Sequence, residues 1–247
     1  QPSYSRHSTF LNCTDVRNLK DFAVNGVQYL LITDKGRGTV TVIKFNEDDR
    51  DFVTVQTLQV NNAFSTDVVS YRGQIFLFIA VFGGQECGRC NNADFSSVHV
   101  WNFTTEEFNE HPIQYLPSSH YVHWFYERYN DQNTFIVVLG RCHCPIQVHY
   151  WNRGLQQLLR IDQPGLEKTL RSSDTIVQSV RYQRTQYILV SPLDRDSEYH
   201  RIRVFRWSTD RGVISYGKLD THVQEREGMS VLLHRGQVFF LHCVKRA

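Results

Sequence analysis

The sequence lacks any apolar run near the roughly 18 residues that suggest a membrane-spanning helix. Its longest, "IFLFIAVF" at 75–82, stops at Gly83-Gly84. It also lacks an excess of one charge. Lys and Arg number 27 against 25 Asp and Glu, a net of +2, and no block of five or six like charges occurs. Nucleic-acid binding therefore has no electrostatic footprint here. A G-x-S-x-G elbow, a P-loop, an H-E-x-x-H pair and a dinucleotide fingerprint are all absent, so no familiar catalytic motif is present. No charged segment leads into an apolar stretch at the start. The first residue is Gln1 rather than Met, which fits a mature end left after removal of a leader.

What is present is a repeat. The strongest apolar runs are "YLLIT" from Tyr29, "FLFIA" from Phe76, "FIVVL" from Phe135, "YILVS" from Tyr187 and "FFLHC" from Phe239, starting 47, 59, 52 and 52 residues apart. Each is about five residues long and rich in β-branched and aromatic side chains, as a buried strand requires. Each follows a turn-forming stretch: "NGVQ", "RGQI", "NDQNT", "QRTQ" and "RGQV". Asn and Gly tolerate positive φ, so tight hairpins are expected there. Another alternating segment precedes each turn. After the first four runs come a loop and a third strand: "VIKF" at 42–45, "VHVW" at 98–101, "VHYW" at 148–151 and "VFRW" at 204–207. A polar turn and a fourth, weaker strand follow: "FVTVQTL", "FNEHPIQYL", "LQQLLRI" and "VISYGKL".

Four short antiparallel strands in about fifty residues make a β-propeller blade. Four units are complete over about 15–219. The fifth has only its first two strands, at 229–233 and 238–243. An open sheet edge leaves backbone groups unpaired, so the stretch 4–11, "YSRHSTFL", is expected to close the ring. The fold expected is all-β: one domain over 1–247, a five-bladed propeller whose chain ends share the last blade. Trp101, Trp151 and Trp207 are expected to pack against the neighbouring blade.

Six cysteines and two N-glycosylation sequons, at Asn12 and Asn102, favour a secreted, extracellular protein. Cys13–Cys243 is the pairing that would staple the closure. Cys87, Cys90, Cys142 and Cys144 would form two further bridges of open connectivity, with a four-sulfur zinc site as the alternative. No other metal site and no cofactor are expected. His99 and His149, at equivalent places in two blades, read as polar residues packed beside tryptophan or facing solvent. His120 and His123 fall near a first strand, where they could line a channel mouth; without a nearby carboxylate they form a weak ligand set.

The stretch 21–80, with its strand, turn, Tyr-Leu, variable loop, Val-x-x-aromatic strand and "VQTL", resembles the epilepsy-associated (EAR or EPTP) repeat of the leucine-rich glioma-inactivated proteins. That resemblance implies a secreted propeller that binds extracellular proteins and has no catalytic role. The expectation is a non-enzymatic, protein-binding propeller contacting its partner through loops on one face, with 83–95 the leading loop. The alternative is a lectin with sugar pockets floored by Trp101, Trp151 and Trp207, which requires exposed indoles.

Overall fold

A computed structural model describes residues 13–48, 50–82, 94–140, 146–162, 175–192, 201–220, 228–235 and 237–243. All regular structure among them is β. The first sheet runs β1 (Val16–Val24), β2 (Val27–Asp34), β3 (Thr39–Asn46) and β4 (Asp51–Gln59), neighbours in that order. The second holds β5 (Ala63–Tyr71), β6 (Gln74–Val81) and β7 (Phe95–Asn102). Its outer strand comes in two pieces, β8 (Glu107–Phe108) and β9 (Gln114–Pro117), both paired to β7. The third is β10 (Tyr121–Tyr129), β11 (Gln132–Gly140), β12 (Gln147–Asn152) and β13 (Gln157–Ile161). The fourth is β14 (Thr175–Tyr182), β15 (Thr185–Pro192), β16 (Arg201–Ser208) and β17 (Gly212–Asp220). A hairpin of β18 (Gly228–His234) and β19 (Gln237–Cys243) follows. Every pairing is antiparallel.

The split outer strand departs from the continuous "FNEHPIQYL" expected. Pro112 has no N–H to give the ladder. The chain leaves β7 after the Asn109 N–H reaches the Val100 carbonyl, and returns where the Ile113 N–H reaches that of Val98. The hairpins inside each sheet form as expected. Asn25-Gly26, Arg72-Gly73, Asn130-Asp131 and Gln183-Arg184 all have positive φ at both central residues. That backbone twist matches the twist of the flanking strands.

First strands sit side by side in chain order, β1 by β5, β5 by β10, β10 by β14 and β14 by β18. They therefore line a common axis, and the sheets stack face to face around it. Both faces of a stacked blade are covered, which is why both halves of the "VHVW" phrase are buried. Val42, Val98, Val148 and Val204 face one neighbour, and Trp101, Trp151 and Trp207 the other. Trp101 meets Phe22 and Tyr29 of the preceding blade, Trp151 meets Phe76, and Trp207 meets Phe125 and Tyr129. Among the described residues the first blade's counterpart, Phe45, meets the ring of Phe52 alone, and it is 42% exposed.

Side-chain amides add a second inter-blade link that the sequence did not announce. Gln56 Nε2 donates to the Phe108 carbonyl at 2.6 Å, and the Phe108 N–H donates to Gln56 Oε1 at 2.9 Å. One blade on, Gln114 Nε2 donates to the Leu158 carbonyl at 3.0 Å, and the Leu158 N–H donates to Gln114 Oε1 at 2.8 Å. An outer-strand glutamine thus imitates a missing strand for the next blade.

The stretch 4–11, expected to complete the last sheet, lies outside the described residues. Among those described, β18–β19 remains two-stranded and the sheets do not close a ring.

Candidate functional site

The first strands bring one polar side chain from each of four consecutive blades into a chain of contacts at the axis. These are Lys20 of β1, Asp67 of β5, His123 of β10 and Ser179 of β14. Asp67 is buried, its side chain 5% exposed. Lys20 Nζ stands 3.0 Å from its Oδ1 and His123 Nδ1 stands 3.6 Å from its Oδ2. The Val68 N–H also donates to Oδ1 at 2.9 Å. The other ring nitrogen of His123, Nε2, shares a hydrogen bond of 2.8 Å with Ser179 Oγ.

A buried carboxylate is costly unless paired. Burial pushes the Asp67 carboxyl up, but His123 and Lys20 together outweigh it and hold the group below its ordinary range. Asp67 is therefore a fixed anion. Above it, Asn18 Oδ1 accepts from the N–H and hydroxyl of Thr66 at 3.3 and 3.0 Å, and Ser65 Oγ accepts the Val122 N–H at 3.1 Å. These contacts lock β1 to β5 and β5 to β10, so the cluster stands on a rigid frame.

Chemically the cluster offers a cationic donor, an anionic acceptor, an imidazole that can do either, and a hydroxyl. The order carboxylate, imidazole, hydroxyl is that of a proton relay. Lys20 makes the difference, because it draws on the same carboxylate that would otherwise serve the imidazole alone. Asp67 is the one carboxylate of the four; glycoside hydrolysis by paired carboxyls takes a second within roughly 5–10 Å.

Sequence reading had placed His123 near a channel but found no carboxylate for it. Asp67 supplies it from 56 residues upstream, in an ordinary-looking "STDVV". The only signal was spacing, since residues 67, 123 and 179 are 56 apart. His120 is buried between Phe64 and Phe82, away from this cluster. His99 is buried and bonded to the Asn109 carbonyl at 2.8 Å and Ser97 Oγ at 3.0 Å. Burial lowers its basicity, against the opposing pull of that carbonyl. His149 is likewise buried, so neither faces solvent.

The tryptophan pockets are corrected outright. Trp101, Trp151 and Trp207 are 3%, 3% and 7% exposed, because each fills the seam to the preceding blade. No sugar ring can stack on them. Cys13 is half-buried and its thiol is free; the side chain of its expected partner, Cys243, lies outside the described residues. Cys243 ends β19. Cys87, Cys90, Cys142, Cys144, Asn12 and residues 83–93 of the loop 83–95 lie outside the described residues. Among the described residues no group of three His, Cys, Asp or Glu is placed to hold a metal. Asn102 ends β7 half-exposed, its Oδ1 accepting the Thr104 N–H at 2.9 Å.

No family model matches the sequence, and no curated protein matches it. Solved structures do match the fold. A GH43 enzyme from Xanthomonas citri complexed with xylotriose aligns with a TM-score of 0.52 at 12% identity, over 92% of this chain and 81% of that one. A GH43 β-xylosidase/α-arabinofuranosidase from a compost microbial metagenome, also with xylotriose, gives 0.52 at 11%, over 92% and 85%. An exo-β-1,3-galactanase from Phanerochaete chrysosporium, with β-1,3-galactotriose, gives 0.53 at 10%, over 84% and 50%.

The fold is a β-propeller. At these identities the likeness carries the fold and not the chemistry. It does overturn the expectation of a non-enzymatic propeller that grips a protein partner. The structures this chain resembles are carbohydrate-processing enzymes holding oligosaccharides, and the axis carries the carboxylate beside His123 that the sequence had not suggested.

Proposed function

We propose that this chain is a carbohydrate-acting β-propeller of five blades, with its sugar site at the axial cluster. The observation that carries the reading is Asp67, a buried carboxylate fixed as an anion by side chains from two neighbouring blades. A saccharide presents hydroxyls that both donate and accept. Asp67 would accept, Lys20 and Ser179 would donate, and His123 is the group suited to carry a proton to or from a sugar hydroxyl. The oligosaccharides bound to the resembling structures support the ligand class.

Five-blade closure belongs to the same proposal. Phe45 and Phe52 leave an apolar face on the first blade, and Phe239 of β19 is exposed at the other end of the stack. Bringing the two ends together would cover all three rings. An extracellular setting, with Asn102 glycosylated, fits its half-exposed position at the end of β7.

Calorimetric titration with xylotriose and β-1,3-galactotriose, followed by a wider saccharide array, tests the reading. An uncharged saccharide that binds the parent should bind Asp67→Asn at least tenfold more weakly. His123→Gln should keep binding while losing any release of reducing ends. Equal binding of that uncharged saccharide to the parent and to Asp67→Asn would remove the axial site.

A further inference from the structure

At the hairpin end of the same first strands the surface is of a different kind. An open groove of about 530 Å³ crosses three blades and is lined by Tyr71, Tyr126, Arg128 and Arg181 among others. A second hollow shares Tyr71 and Arg72 with it and extends to Arg153. This end lies four residues along β5 from Asp67, about 13 Å by strand rise.

Two of the four arginines are already spoken for. Arg128 pairs with Asp131 at 3.0 Å and Arg181 pairs with Glu127. Arg72 and Arg153 have no carboxylate partner among the described residues, and both are exposed. Arg72 also sits at an uncomfortable place. It is the first central residue of the β5–β6 turn with φ 51°, where the β1–β2 turn has Asn25 at φ 50°. Asn takes this conformation more readily than Arg. An arginine there costs backbone strain, which is reason to look for what its side chain does.

The rings beside it are held in place. The Tyr71 hydroxyl donates to the Asn133 carbonyl at 2.6 Å, and the Tyr126 hydroxyl donates to that of Ser70. The two rings stack, with centroids 6.5 Å apart. The Arg72 guanidinium lies 5.6 Å from the Tyr71 ring centre. The groove thus pairs pre-positioned aromatic faces with two uncommitted guanidinium forks. Aromatic faces take the apolar side of a sugar ring with little loss of side-chain freedom. Guanidinium forks match the planar, bidentate geometry of carboxylate and the oxygens of sulfate.

We propose that this groove binds an anionic saccharide, its ring against Tyr71 and Tyr126 and its sulfate or carboxylate held by Arg72 and Arg153. The inference extends the carbohydrate reading to a second surface; it shares that reading's ligand class and none of its residues.

Titration with a sulfated disaccharide, its desulfated counterpart, a uronic-acid disaccharide, inorganic sulfate and a single-stranded oligonucleotide tests it, at about 50 and 200 mM salt. The sulfated or the uronic sugar should bind at least tenfold more tightly than the desulfated one and than free sulfate, and more weakly at the higher salt. Which of the two binds tells sulfate from carboxylate recognition. The double variant Arg72→Asn/Arg153→Gln should lose that affinity at least tenfold. Arg72→Asn suits the turn, so a folding defect is not the expected source of the loss. Arg72→Lys should lose less than Arg72→Asn, and Asp67→Asn should stay within twofold of the parent. Three outcomes would overturn the proposal: equal binding of charged and uncharged sugars, unchanged affinity in the double variant, or an oligonucleotide bound as tightly as the sugar. Loss on Asp67→Asn with the double variant unaffected would instead leave only the axial site.

Discussion

Asp34 closes β2, and its carboxylate is the point from which β1 is hung. The Thr14 N–H donates to Oδ2 at 2.8 Å, while the Thr14 hydroxyl and the Asp15 N–H reach Oδ1 at 3.0 Å each. The Arg37 N–H reaches Oδ1 at 3.3 Å. Burial alone would raise this carboxyl; the four donors outweigh it and hold it at about 2, against 3.8 ordinarily. That difference corresponds to roughly 2.5 kcal/mol of stability. A carboxyl whose folded value is depressed stabilises the fold above the unfolded value, and the contribution fades as pH falls from 3.8 toward 2. About half of it should remain at pH 3. Asp34→Asn removes the charge and turns an amide nitrogen toward one of the donors. The expected cost is about 2–3 kcal/mol at pH 7, measured by urea unfolding with the buried tryptophans as fluorescent probes. The gap between parent and variant should narrow by about 1 kcal/mol at pH 3. A cost under about 0.5 kcal/mol at neutral pH, or a gap that ignores pH, would refute the account, because the donors would then be serving geometry without charge. The consequence for function is direct: Asn18 and Lys20 lie on the strand that Asp34 anchors.

Gln56→Leu should cost about 2–3 kcal/mol in the same unfolding assay, because the buried N–H and carbonyl of Phe108 lose their partners; Gln114→Leu should match it at Leu158. Replacing Gln183-Arg184 with Asn-Gly should raise stability by about 1 kcal/mol, since both residues hold positive φ, 45° and 66°. Trp207→Phe should destabilise more than Trp101→Phe by about 1 kcal/mol: Trp207 Nε1 donates to the Arg128 carbonyl at 3.2 Å, whereas the buried Trp101 Nε1 has no partner among the described residues. Lys20→Met should cost about 1–3 kcal/mol by leaving Asp67 short of a counter-charge, while Lys20→Met/Asp67→Leu should recover most of that loss and still bind no saccharide. Failure of the double variant to recover would make the cluster a structural strut.

The blades were legible because their signals are local. The Asn25-Gly26 and Arg72-Gly73 turns, the five apolar runs and the Val-x-x-Trp phrase all repeat within one unit, and each fixes a strand or a hairpin by its own chemistry. The seam roles of Trp101, Trp151 and Trp207 followed from stacking alone. Pro112 was visible in the sequence as a residue without an N–H, yet reading Phe108 to Leu116 as one strand concealed the break it imposes. The axial cluster was illegible for a different reason. Its members come from four units, and each by itself is an unremarked polar residue on a half-buried strand. Only the stacking of first strands makes Asp67 the partner of His123. The same holds for Gln56 and Gln114, whose partners are backbone groups that no sequence pattern can flag. Function was misread because motif searches look for neighbours in sequence, and a propeller builds its axis from residues one blade apart.

The two ends of the axis now differ in kind, and the difference follows from what each end can desolvate. At Asp67 the first strands pack closely, so a charge there must be answered by protein groups, and Lys20 and His123 answer it. Little charge is left for a ligand, and the cluster suits a neutral, hydroxyl-rich molecule that needs geometry more than attraction. At the hairpin end the strands part into turns, water reaches the side chains, and Arg72 and Arg153 can stay uncommitted at small cost because solvent screens them. Unanswered charge in an exposed groove attracts ions from a distance and is weakened by salt. A site for a neutral ligand where the first strands converge and one for a charged ligand where they diverge are therefore what the same repeat would produce.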